Sequence, residues 1–123
     1  DMRGFSPLDD PGDAELLAGA AQARVVFGHT HVQFSRLTDA GTELVNPGSV
    51  GCPAYTDDSP QPHVVAVGSP HARYAVADRT SAGWRVGFHS VPYDWDRAAA
   101  LARAGNRPEW AQALATGFIG SPA

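Results

Sequence analysis

Glycine and proline interrupt this chain so often that no helix or strand in it is expected to be long. The sequence holds 13 Gly and 10 Pro in 123 residues. Such frequent interruption predicts short strands and helices joined by many turns. With 43% hydrophobic and 18% charged residues, the chain is apolar enough to form the core of one domain or of part of one.

Composition excludes several classes of protein. Nine Lys and Arg against 13 Asp and Glu give a net charge of -4, with no basic run that could follow a phosphate backbone, so general nucleic-acid coating is not expected. The longest apolar runs, 23–28 and 98–102, are far shorter than the roughly 20 residues of a membrane span. The single cysteine, Cys52, cannot form an internal disulfide, which favours a reducing, cytoplasmic setting.

Local patterns predict a helix, a group of strands and two final helices. Asp13 is the expected N-cap of a first helix over 14–21, and 53–62, which is rich in proline and aspartate, is expected to be an exposed loop. The remaining predictions are a strand at 24–27, a hairpin of 33–37 with 43–45, a candidate strand at 64–67, an antiparallel pair of 73–78 with 84–91, and helices over 95–104 and 108–116.

Two histidines lie two residues apart where the first predicted strand ends. His29 and His31 belong to a Gly-His-Thr-His sequence directly after an apolar run. Imidazole is a common ligand of Zn, Fe, Mn and Ni. Side chains two residues apart face the same side of extended backbone, and in a loop they can diverge enough to reach two metals roughly 3.5–4 Å apart. The alternative interpretation is that both are ordinary turn residues.

A second motif, Asn-Pro-Gly-Ser-Val-Gly at 46–51, follows the predicted hairpin. Two glycines, a proline and an asparagine in six residues specify a tight backbone that leaves room for close approach. Alone, this sequence is typical of an ordinary turn. Because the hairpin separates it from the histidine motif, the two turns are expected to lie at neighbouring strand ends.

Together, the two motifs resemble the closing signature of the calcineurin-like metallophosphoesterases, specifically their small prokaryotic phosphodiesterase-type branch. The resemblance covers about 14–93. It implies an α+β fold, the C-terminal half of a four-layer αββα sandwich with mostly antiparallel strands followed by two short C-terminal helices. It also implies that His29 ligates one of two divalent metals and His31 the other, and that a metal-bound hydroxide attacks a phosphate ester.

The family's earlier ligand motifs have no match in this sequence and would lie upstream of Asp1. Where the family has a further ligand histidine, the nearest equivalent here is Arg3, whose permanently charged guanidinium cannot bind a cation. The chain is therefore expected to be the C-terminal part of one domain, with sheets and metal loops in 13–92 and helices in 93–123. It carries no catalytic residue of its own in this interpretation, and its expected partners are the missing N-terminal half, a phosphate-ester substrate and a possible second copy.

Two hypotheses follow. In the first, the intact protein hydrolyses phosphomonoesters or phosphodiesters with two divalent ions (Mn, Fe, Zn or Ni), and Asn46 and Ser49 order the turn or bind substrate. In the second, the chain is a non-catalytic remnant or binding module with the same fold elements. The other polar candidates are interpreted as surface, half-buried or inert groups: Cys52, Asp57, Asp58, His63, His71 and His89. An apolar stripe of Trp110, Leu114 and Phe118 is expected to dock the last helix onto the rest of the protein or onto a neighbouring subunit.

Overall fold

The computed structural model describes residues 24–59 and 61–120. This part of the chain has a mixed α+β fold with several antiparallel strand pairs and two helices at its end. The elements are β1 (Arg24–Val26), β2 (Phe34–Leu37), β3 (Glu43–Asn46), β4 (Ala54–Asp57), β5 (His63–Ala66), β6 (Ala72–Thr80), β7 (Gly83–Val91), α1 (Trp95–Ala104) and α2 (Pro108–Thr116). The predicted helix over 14–21, its cap Asp13 and the ligand-position residue Arg3 lie outside the described residues.

The first three strands form a sheet in the order β1-β3-β2. β2 and β3 form the predicted antiparallel hairpin, and β1 pairs in parallel with β3, with Val26 opposite Val45. The ladder extends one residue further, where the Phe27 amide donates to the Val45 carbonyl at 3.0 Å. Because parallel strands end at the same edge of a sheet, the chain leaves β1 and β3 side by side, which confirms that the two sequence motifs lie at neighbouring strand ends.

The segment 53–62 was predicted to be an exposed loop, and this prediction is wrong for its first half. β4 pairs antiparallel with β5 over Ala54–Asp57, with Tyr55 opposite Val65 and Asp57 opposite His63. Ala54 is 3% exposed. The prolines and aspartates of the segment do favour a turn, but in the sequence they precede β4, end it at Asp57 or follow it, so they did not reveal the pairing of β4 itself.

The last third of the chain follows its local signals closely. β6 and β7 form the predicted antiparallel pair, with Thr80 opposite Gly83. The Asp94 side chain caps α1 by accepting from the Arg97 amide at 3.0 Å. Pro108 is the first residue of α2, where its missing N–H costs nothing, and Gly117 follows the helix with the left-handed φ of 76° that glycine favours.

The described core is small and consists largely of small side chains. The buried apolar residues are Leu44, Val45, Ala54, Val65, Ala99, Ala111 and Ala113. In the chain itself Trp110 is 46% exposed and Phe118 54% exposed, so the docking predicted for the stripe of the last helix stays a prediction for these two residues. Alanines are buried on both helices instead, and their small side chains allow α1 and α2 to approach closely.

Candidate functional site

Asn46 joins the loop that follows β1 to the loop that follows β3. Its side chain is fully buried. The amide nitrogen donates to the Gly28 carbonyl at 3.1 Å and to Thr30 Oγ1 at 2.8 Å, and the amide oxygen accepts from the Gly48 backbone amide at 3.0 Å. One side chain therefore holds both sequence motifs together, with the histidine loop on one side of it and the glycine turn on the other.

Ser49 orders the second loop from within. Its hydroxyl accepts from the Cys52 amide at 3.0 Å, and its carbonyl accepts from the Arg73 amide at 2.9 Å. Gly48 has a φ of 86°, and a methyl group on its Cα would lie 2.8 Å from Arg73 Cβ and 2.9 Å from Gln33 Cγ. The turn therefore needs glycine for two reasons, its left-handed backbone and the close approach of its neighbours.

The ring of His31 is held in one tautomer by the backbone of the second loop. Its Nδ1 lies 2.6 Å from the Cys52 carbonyl oxygen. A carbonyl can only accept, so Nδ1 carries the proton and Nε2 carries the lone pair of the neutral ring. Metal-binding histidines commonly have this arrangement, in which one ring nitrogen donates to a carbonyl and the other binds the ion.

Both histidines have a left-handed backbone, with φ of 77° at His29 and 58° at His31. Residues other than glycine rarely adopt this conformation, although histidine does so more often than most. Such conformations persist where the surrounding structure determines them, and they concentrate at functional sites. Here both histidines lie in a turn whose backbone departs from the extended conformation of β1.

Three residues of the β4–β5 hairpin complete the cluster. The Tyr55 hydroxyl donates to the His29 carbonyl, and the Tyr55 ring lies 4.8 Å from the His31 ring, centroid to centroid. The Tyr55 and His63 rings meet edge to face at 6.4 Å. Asp57 lies directly opposite His63 in the strand register. The prediction that Asp57 lies on a solvated loop and that His63 is an isolated surface group is therefore wrong. Tyr55 has no signal in the sequence that would mark it as part of a site.

These neighbours set the charge state of His29. Burial lowers the pKa of His29, the Asp57 carboxylate opposes this effect, and the nearby His63 and His31 lower the pKa further. The pKa of Asp57 is itself lowered, chiefly because its carboxylate accepts a hydrogen bond from the Ser59 amide. His29 therefore favours the neutral form, the form in which imidazole binds a metal.

The described residues supply only part of a metal site. Within 24–59 and 61–120, no group of three or more His, Cys, Asp or Glu side chains is arranged to hold a metal ion. A stable site normally takes three or four protein ligands for each metal. The imidazoles of His29 and His31 thus fit the role of individual ligands, and the described part of the chain does not complete the set.

The remaining candidates lie apart from this cluster or are unreactive. His71 is hydrogen-bonded to Ser69 Oγ at 2.8 Å and packs against Trp95, and His89 stacks on Tyr74. Cys52 contributes its carbonyl to His31, but its thiol is partly buried, and burial raises the pKa of that thiol. For the pairing of Asp57 with His63, the sequence offers only a weak signal, namely two polar residues on either side of a proline-rich turn.

Comparison with known proteins assigns no relationship: neither a scan of protein-family models nor a search of curated proteins returns a match. In the described part of the chain, no helix has the length and apolarity needed to cross a membrane.

Proposed function

We propose that this chain is the C-terminal part of a dinuclear metallophosphoesterase, within a four-layer αββα sandwich, and that the intact protein hydrolyses phosphomonoesters or phosphodiesters. The observation that carries the proposal is the hydrogen bond from His31 Nδ1 to the Cys52 carbonyl. It leaves Nε2 as the electron-pair donor, two residues after a His29 whose pKa is lowered.

In this proposal, His29 and His31 each bind one of two divalent ions. The ions supply Lewis acidity toward the phosphoryl oxygens and lower the pKa of bound water. Asn46 holds the two loops in register, and Ser49 fixes the turn through the Cys52 amide. The carboxylate ligands that the described residues lack come from polypeptide outside them. The single cysteine supports a reducing, cytoplasmic setting.

The first test is to read the coding region upstream of Asp1 and ask whether carboxylate-bearing ligand motifs are present in frame. The second uses the longer polypeptide that this region and the 123 residues encode together. His29→Ala and His31→Ala should each lower the metal content measured by elemental analysis together with hydrolysis of a chromogenic phosphodiester. His71→Ala and His89→Ala are matched controls, because both rings pack against aromatic residues elsewhere in the fold. Full metal content and activity in either His29→Ala or His31→Ala would overturn the ligand assignment.

The alternative proposal is a non-catalytic remnant or binding module with the same fold elements. Its support is that residues 24–59 and 61–120 hold no group of three potential metal-binding side chains. Both proposals expect no activity from the 123-residue chain with manganese alone. When the upstream half is added, the enzyme proposal expects activity, whereas the binding-module proposal expects none.

A further inference from the structure

Tyr55 contacts all three histidines of the cluster, His29, His31 and His63. Its hydroxyl donates to the His29 carbonyl, its ring packs on His31 at 4.8 Å, and its edge meets His63 at 6.4 Å. The inference below rests on the proposed role of His29 and His31 as ligands. It concerns how this chain holds them.

The backbone of His29 needs an external contact to stay where it is. Its φ of 77° is unfavourable for a residue with a Cβ, and its carbonyl points toward the neighbouring hairpin rather than along a ladder of the β1 strand. The hydrogen bond from Tyr55 fixes the direction of that carbonyl. Fixing the peptide in turn fixes the direction in which the His29 side chain leaves the loop.

His31 is held at two points. The Cys52 carbonyl fixes Nδ1, and the Tyr55 ring lies against the imidazole with an interplanar angle of 57°. A hydrogen bond alone leaves the ring free to tilt about the N–H direction, and a packed aromatic ring restricts that tilt. The two contacts together define where Nε2 points.

Tyr55 is itself well anchored. It lies inside β4, where it pairs with Val65, a buried residue of β5. The strand therefore fixes the position of Tyr55, and the Tyr55 side chain restrains the loop of His29 and His31, whose backbone is unfavourable. Positions on strands hold a site more accurately than positions on loops do.

We propose that Tyr55 is a positioning residue of the site, which fixes the His29 backbone through its hydroxyl and the His31 ring through its aromatic face. Its two contacts are separable by substitution. Tyr55→Phe removes the hydroxyl and keeps the ring, and Tyr55→Leu removes both. Tyr74→Phe is a matched control, since the Tyr74 ring stacks on His89 at 4.9 Å on a different hairpin.

The decisive measurement needs no metal and uses the ¹⁵N-labelled 123-residue chain. A positive φ gives a strong NOE between the amide and α protons of the same residue, and long-range proton–nitrogen correlations identify the histidine tautomer. In Tyr55→Phe, we expect the His29 NOE to weaken while His31 keeps its Nδ1–H tautomer. In Tyr55→Leu, we expect the His31 tautomer to become mixed as well. Tyr74→Phe should change neither signal.

An unchanged His29 NOE in Tyr55→Phe, together with an unchanged His31 tautomer in Tyr55→Leu, would overturn the proposal. A variant that loses dispersed resonances throughout would also count against it, because the tyrosine would then be needed for folding generally and not for placing two side chains.

A second measurement separates this inference from the proposed function. In a titration with Zn²⁺ alone of the longer polypeptide that includes the upstream region, Tyr55→Phe should bind at least about tenfold more weakly than the unaltered chain, the usual effect of losing a group that orients a ligand. If the unaltered chain binds Zn²⁺ no better than His29→Ala does, the ligand assignment fails, and the NMR result still decides the role of Tyr55. If Zn²⁺ binding depends on His29 but is unchanged by Tyr55→Phe, the positioning role fails and the ligand assignment stands.

Discussion

Replacing Gly48 with alanine should destabilise the protein much more than the same change at Gly41. Both glycines have left-handed backbones of similar φ, 86° and 80°. A methyl group at Gly41 would meet nothing within 4 Å, whereas one at Gly48 would lie 2.8 Å from Arg73 Cβ and 2.9 Å from Gln33 Cγ. The pair therefore separates the cost of the backbone conformation from the cost of the close approach.

The magnitudes follow from these two terms. A left-handed alanine costs roughly 1–2 kcal/mol, so Gly41→Ala should lose about that much. Inserting a methyl group into a tightly packed position costs typically ~1–3 kcal/mol more. Arg73 Cβ is attached directly to the β6 backbone and cannot move away cheaply, so Gly48→Ala should lose roughly 2–5 kcal/mol. Natural domains have only about 5–15 kcal/mol of stability.

Urea unfolding followed by fluorescence of Trp84, Trp95 and Trp110 measures both losses. If the Gly48→Ala chain is unfolded in buffer, the series is repeated in sucrose, which strengthens burial equally for all variants. A Gln33→Ala background offers a further check, because it removes one of the two obstructing atoms and should reduce the cost of Gly48→Ala. Equal losses at Gly41 and Gly48 would refute the close approach described for the turn.

Three further outcomes are expected. Asn46→Ala should cost at least about 2 kcal/mol in urea unfolding, since it removes the hydrogen bonds to the Gly28 carbonyl and Thr30 Oγ1 and leaves the Gly48 amide without its side-chain acceptor. A loss below about 0.5 kcal/mol, the size of an ordinary surface substitution, would contradict the bridging role. Cys52 should react with iodoacetamide more slowly in the folded chain than in urea, because burial raises the pKa of its thiol; equal rates would show that the thiol is freely accessible. Because the pKa of His29 is lowered in the folded chain, the unfolded chain binds a proton at this residue more readily than the folded chain does. The contribution of His29 to the free energy of unfolding is therefore present above the unfolded pKa of about 6.5, and it is lost as the pH falls through the folded pKa. His29→Gln should flatten that part of the metal-free stability profile between pH 7 and 5, and an unchanged profile would exclude His29 as its source.

Features specified by neighbouring residues could be predicted from the sequence. Asp94, Pro108 and Gly117 mark helix ends through their own hydrogen bonds and dihedral angles, and both helices have the predicted bounds. The hairpins β2–β3 and β6–β7 were predictable for the same reason, because alternating strands and a short turn lie together in the sequence.

Features that depend on distant partners could not be predicted in this way. β4 is a strand because β5 pairs with it, and its own four residues, Ala-Tyr-Thr-Asp, have no strong preference. The same pairing brings Tyr55, Asp57 and His63 to His29 and His31, so missing the strand also meant missing half of the candidate site. The two histidines themselves were found because their motif needs only a strand end and a turn.

The order β1-β3-β2 has a kinetic consequence. The β2–β3 hairpin closes a short turn, whereas pairing β1 with β3 must close the longer loop from Arg24 to Glu43. Short loops close with a smaller loss of chain entropy, so the β2–β3 hairpin should form early and β1 should pair with it afterwards. The loop of His29, Thr30 and His31 should become ordered only when β1 pairs. Substitutions in β1 should accordingly speed unfolding more than they slow refolding, and the loop that carries both imidazoles should be among the last parts of the sheet to become ordered.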